Sequence, residues 1–145
     1  MTLPPLETLL PHAGRMRLID RIERYDEERI VCTASSHRAA DHPLAQAGVL
    51  SIVCGLEYGA QAMAMHGTLL KRNGAPPAGS RARHGLLVTA SDVRWTVERL
   101  DQCAAPLIVE AASEVRDDQH VSYRFELRSA GAVVLSGRAL VLLEH

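Results

Sequence analysis

The sequence predicts an α+β fold in which one long buried helix is wrapped by an antiparallel sheet, and three observations predict it. From Ser51 to Arg72 the chain is apolar on nearly every face, with almost no charge before Lys71, so a helix there must be buried. Downstream, apolar runs rich in β-branched residues recur between turn signals, as in a meander of long strands and not in βαβ units. Upstream lies one hairpin. Hairpin, buried helix, then strands is the order of an α+β domain.

The opening Leu6-Glu7-Thr8-Leu9-Leu10-Pro11-His12 reads as a short amphipathic turn stopped at Pro11, forming a flap on the sheet. Met16, Leu18 and Ile22 then alternate with polar residues. Tyr25-Asp26-Glu27-Glu28 supplies a turn before Ile30-Val31-Cys32-Thr33-Ala34, which completes the hairpin. Residues 37–48 have no periodicity and form a loop. Ser51 is placed to cap the helix, whose glycines and alanines let surrounding backbone approach closely. Lys71 to His84, with Gly74, Pro76, Pro77 and Gly79, is the longest surface connection. The strand candidates are Leu86–Ala90, Val93–Val97, Leu107–Ala111, Val121–Leu127 and Val133–Leu143, with turns at Asp101-Gln102, Asp117-Asp118 and Ala130-Gly131.

At 145 residues the chain has room for one domain, spanning 1–145. With 47% apolar and 23% charged residues it is an ordinary globular composition, which excludes disordered and fibrous classes. A net charge of -1 and a pI near 6.6 leave no basic footprint for nucleic acid or an anionic membrane. Cys32, Cys54 and Cys103 are too widely spaced for a zinc motif or a disulfide framework, and no window has the apolar length of a membrane span. These features point to a cytoplasmic protein without a metal or a nucleotide cofactor, since no glycine-rich phosphate loop is present either.

Three stretches carry a family resemblance. Leu9-Leu10-Pro11-His12-Ala13-Gly14-Arg15-Met16-Arg17-Leu18-Ile19-Asp20-Arg21-Ile22 resembles a Leu-Pro-His…Met-Leu-Leu-(Val/Ile)-Asp-Arg opening. Leu56-Glu57-Tyr58-Gly59-Ala60-Gln61 resembles a Glu-x-x-Ala-Gln helix signature, and the C-terminal strands follow in the right order. Together they resemble the hotdog-fold dehydratases of the FabA/FabZ type, which act on β-hydroxyacyl groups carried on acyl carrier protein, and most closely a divergent branch from aryl-polyene and related polyketide clusters. The resemblance implies a hotdog fold, no cofactor, a phosphopantetheine-linked acyl substrate on its carrier protein, and a homodimer or heterodimer of hotdog subunits.

It also implies roles. Eliminating water from a 3-hydroxyacyl thioester needs a base for the α-proton, an acid for the leaving hydroxyl and polarisation of the carbonyl. By resemblance His42 is the base and Glu57 the acid. A free N–H in the first helical turn, around Val53 and Cys54, binds the carbonyl with help from the helix dipole. Gln61, one turn beyond Glu57 on the same face, orients Glu57 or the pantetheine. Glu57 stands out on physical grounds as well, because a carboxylate in an apolar helix is costly unless paired or protonated.

The sequence departs from the family at the helix entry. The position of the family's loop histidine falls on Pro43, one residue after His42, and its Pro-Gly-Val-Leu falls on Ser51-Ile52-Val53-Cys54, with the similar Gly48-Val49-Leu50 too early. Two alternatives follow: a half-site or noncatalytic partner in a heterodimeric dehydratase, and an acyl thioesterase. Plainer readings stand beside the rest. His12 is a packing or hydrogen-bonding residue, His66 a satisfied core histidine, Cys54 a buried thiol without a base. Lys71, Arg72, Arg81 and Arg83 are cations of a solvated loop or an attraction for an acidic carrier.

Overall fold

The structure is a computed structural model and describes residues 3–10, 14–73 and 84–144. Two strands open the sheet, β1 (Arg21–Tyr25) and β2 (Arg29–Ala34). Their turn is held by Asp26, whose Oδ1 accepts the N–H groups of Glu28 and Arg29 at 2.8 and 2.9 Å, as short acidic side chains do in Asx turns. Met16 lies in a 3₁₀ turn, Gly14–Met16, so the strand begins later than the alternation suggests. Leu9 and Leu10, in the opening turn expected as a flap on the sheet, are core residues.

The helix α1 runs Gly55–Asn73, preceded by a 3₁₀ turn at Ile52–Cys54 that Ser51 caps through its side chain. Then come β3 (His84–Trp95), β4 (Leu107–Arg116), β5 (His120–Ser129) and β6 (Ala132–Glu144). The six strands pair antiparallel in the order β1-β2-β4-β5-β6-β3. The meander expectation holds for β4, β5 and β6, whereas β3 crosses to the far edge beside β6. The two strands expected at Leu86–Ala90 and Val93–Val97 are one: Ser91-Asp92 resembles a turn, but Asp92 takes a positive φ and the register slips between Ser91 and Arg94 while β6 runs on. That is a bulge. Ala130 and Gly131, both with positive φ, make the two-residue turn between β5 and β6 whose twist matches antiparallel strands.

The inner face of the sheet packs on α1 in cross-strand rows. One runs Ile30, Ala111, Phe125, Gly137, and the next Cys32, Val109, Leu127, Leu135; except for Gly137, all of these are core-cluster residues. The helix comes close because Gly55 and Gly59 face this surface. A Cβ at Gly55 would lie 2.5 Å from Leu135 Cδ2 and 3.1 Å from Leu127 Cδ2, and one at Gly59 would lie 3.0 Å from Phe125 Cδ2. Small residues one turn apart thus set the helix–sheet distance. Among the described residues no helix is long and apolar enough to cross a membrane.

Candidate functional site

The approach to α1 is tied to the segment at 98–101. The N–H of Ile52 donates to the Glu98 carbonyl at 2.9 Å, Leu100 N–H to the Leu50 carbonyl at 2.8 Å, and Leu50 N–H to Asp101 Oδ1 at 3.0 Å. Arg99 also bonds both oxygens of Asp101, and this guanidinium holds the Asp101 carboxyl down at about 2. A brace of this kind stands where the resemblance led one to expect a glycine turn.

Val53 and Cys54 occupy the 3₁₀ turn. The Val53 N–H, expected free, donates to Ser51 Oγ at 3.3 Å, and the Cys54 N–H donates to the Ser51 carbonyl at 3.0 Å. The Val53 side chain is exposed. Burial pushes the half-buried Cys54 thiol up, with a hydrogen bond from Ser51 opposing; this is the environment of an unreactive thiol.

Glu57 is half-buried in the first turn of α1. Gln61, fully buried, donates from Nε2 to Glu57 Oε1 at 3.3 Å and to the Met16 carbonyl at 2.7 Å, and its Oε1 accepts the Leu18 N–H at 2.9 Å. The structure therefore brings Glu57 and Gln61 together, one turn apart on α1.

His42 faces a different partner. It is buried, its Nδ1 accepts the Leu44 N–H at 3.0 Å, and its Nε2 lies 3.1 Å from Tyr58 Oη. Since Nδ1 accepts, the neutral ring carries its proton on Nε2 and donates it to Tyr58. Tyr58 then donates to Ser36 Oγ at 2.7 Å, and Ser36 donates to the Leu18 carbonyl at 2.7 Å. Both ring nitrogens of His42 are committed within its own chain. Burial holds the imidazole below its ordinary range, assisted by His37 and opposed by Asp41, and burial pushes Tyr58 up to about 12.

Tyr58, Ser36 and His37 escaped the sequence reading. A tyrosine in an apolar helix signals that its hydroxyl needs a partner, but nothing local identifies Ser36 as that partner. His37 is 1% exposed and donates from Nε2 to the carbonyls of Cys103 and Ala105 at 2.9 and 3.1 Å, leaving Nδ1 buried without a hydrogen bond. His66 is the satisfied core histidine expected: Nε2 donates to the Asp26 carbonyl and Nδ1 accepts from Tyr123 Oη, both at 2.8 Å. His12, Arg81 and Arg83 lie outside the described residues, and Lys71 and Arg72 belong to the last turns of α1. Among the described residues no cluster of His, Cys, Asp and Glu is arranged to hold a metal ion. A hollow of about 260 Å³ lined by Thr89, Ser91, Glu114, Ser122 and Arg138, among others, includes none of the candidate residues.

Solved structures share this architecture. The dehydratase heterocomplex ApeI:P from Xenorhabdus doucetiae superposes with a TM-score of 0.82 at 20% identity, covering 99% of this chain and 93% of that one. A hypothetical thioesterase from Streptococcus pneumoniae TIGR4, solved with coenzyme A, gives 0.62 at 12% identity, covering 86% and 84%. A homologue of HP0420 from Helicobacter felis gives 0.66 at 13% identity, covering 100% and 93%. The fold they share with this chain is the hotdog fold. None of the curated proteins matches the sequence. The sequence model of the ApeP-like family, described as ApeP dehydratase, matches residues 4–144, and the chain belongs to that family.

Proposed function

We propose that this chain is one subunit of a dehydratase that removes water from a 3-hydroxyacyl thioester to give the trans-2-enoyl thioester, and that it contributes Glu57 while a second hotdog subunit contributes the base. The base takes the α-proton, Glu57 delivers a proton to the departing β-hydroxyl, and a C=C bond and water result. The thioester carbonyl is placed at the first turn, where the Val53 N–H exchanges its long bond to Ser51 Oγ for the developing oxyanion, aided by the positive end of α1. Every step is a proton transfer or a hydrogen bond, so the scheme calls for no cofactor.

The observation that carries this reading is the filled hydrogen-bond shell of His42, set against a Glu57 that Gln61 holds near the helix start. A general base needs a free lone pair directed at substrate, and the one in-plane lone pair of the neutral His42 ring is taken by Leu44. Membership of the ApeP-like family supports dehydration, and the likeness to a dehydratase heterocomplex supports a second subunit. The acyl group is carried on phosphopantetheine of acyl carrier protein, in fatty-acid or polyketide-type elongation such as aryl-polyene assembly. Three free cysteines suit the reducing cytoplasm.

The test incubates the purified chain, alone and with a second hotdog dehydratase subunit, with a 3-hydroxyacyl carrier protein and with its saturated counterpart. Enoyl product only in the two-subunit mixture is expected. Free acid from either thioester would establish a thioesterase, and full turnover by the chain alone would remove the need for a partner.

A further inference from the structure

The bonds around Glu57 and His42 form two runs that meet at the backbone of Leu18, and the donor in each is determined. Leu44 N–H donates to His42 Nδ1, His42 Nε2–H to Tyr58 Oη, Tyr58 to Ser36 Oγ, Ser36 to the Leu18 carbonyl, Leu18 N–H to Gln61 Oε1, and Gln61 Nε2–H to Glu57 Oε1. All the donors point the same way, from the loop toward the carboxylate. The direction follows from two fixed points, a backbone N–H that can only donate to Nδ1 and a carbonyl that can only accept from Ser36. The bonds join three separate parts of the chain to α1: the loop at 42–44, the 3₁₀ turn at Ser36–Arg38, and the segment leading into β1.

We propose that Tyr58 and Ser36 are positioning residues for Glu57: they pass the hold of the His42 loop through Leu18 to Gln61, which aims the carboxyl. This rests on the reading of Glu57 as the acid. Tyr58 is fully buried, and the hydroxyl of the half-buried Ser36 is taken up by Tyr58 and the Leu18 carbonyl, so both act through Leu18. Bonds within each run polarise one another, and the two runs are coupled mechanically through the backbone of Leu18. Without the Ser36 hydroxyl the Leu18 carbonyl is released, the adjoining N–H shifts on Gln61, and the Gln61 amide turns from Glu57. A proton donor displaced by a fraction of an ångström loses rate while substrate binding is little affected.

The experiment measures kcat and KM for 3-hydroxyacyl carrier protein in the reconstituted dehydratase with Tyr58→Phe, Ser36→Ala, both together, and Ser36→Thr. The Gln61 side-chain amide resonance of each full-length chain is recorded in parallel. Each single variant is expected to lower kcat about tenfold with KM within about twofold and to move the Gln61 resonance. The double variant is expected to be no worse than either single one, as for two members of one series, and Ser36→Thr, which keeps the hydroxyl, to recover most of the loss. Wild-type kcat with an unmoved Gln61 resonance overturns the proposal, and so do losses that multiply independently. Should Tyr58→Phe not fold, Ser36→Ala decides by the same two readouts. Glu57→Gln is run beside them. Full activity in that variant ends the reading of Glu57 as the acid, and the Gln61 resonance alone then decides whether the series holds.

Discussion

A side-chain amide in an apolar core is tolerated when both its ends are bonded, and Gln61 meets that condition with Leu18 N–H at 2.9 Å and the Met16 carbonyl at 2.7 Å. Gln61→Ala strands the buried Leu18 N–H, at about 1–3 kcal/mol, and frees the carbonyl of the exposed Met16. The expected result is a loss of roughly 1–3 kcal/mol in urea unfolding, more than an exposed glutamine would give. A loss below about 0.5 kcal/mol, the range of surface substitutions, would contradict it. Glu57 and Gln61 were legible in the sequence because polar groups on an apolar helix advertise themselves. The environment of His42 was not, since the partners that occupy its nitrogens lie at Leu44 and Tyr58 and only folding brings the ring against the helix.

At the scale of elements, α1 is placed by what its glycines omit. A valine at position 55 would drive its branches into Leu135 and Leu127, both fully buried in one row of the sheet, with little room to give. Gly55→Val is expected to destabilise by about 2 kcal/mol or more, read as a lower urea midpoint with unchanged slope. An unchanged midpoint would show that the helix does not rest on those leucines. The helix itself was legible because a long apolar run almost without charge leaves its mark in the sequence, although a stripe through Leu56, Ala60, Ala64 and Gly67 is only half-buried. The kink in β3 was not: Ser91-Asp92 has turn chemistry, and only the unbroken pairing along β6 absorbs it as a bulge. Strand order was equally hidden, because the pairing of β3 with β6 is non-local and leaves no mark within either strand.

Across the whole molecule, His37, His42 and His66 are all buried, and burial lowers all three imidazoles. A base whose folded pKa is depressed takes up protons in the unfolded state first. Stability is therefore full above about pH 6.5, the ordinary imidazole value, and is lost as pH falls through the lower folded values. Thermal midpoints measured from pH 8 to pH 5 should be flat at the upper end and drop below about 6.5, and a midpoint that rose on acidification would contradict this. His66 makes the point most simply, since a protonated Nδ1 can no longer accept from the Tyr123 hydroxyl, whose proton must turn elsewhere.

The division of labour between Glu57 and His42 is tested most directly by dehydration rates of the two-subunit enzyme with one substitution at a time in this chain. Glu57→Gln should lower the rate by more than about a hundredfold, the scale of a lost general acid. His42→Gln, whose amide can still donate to Tyr58, should lower it by no more than about tenfold. A hundredfold loss in His42→Gln beside a near-normal Glu57→Gln would contradict the account and return His42 to the role of base.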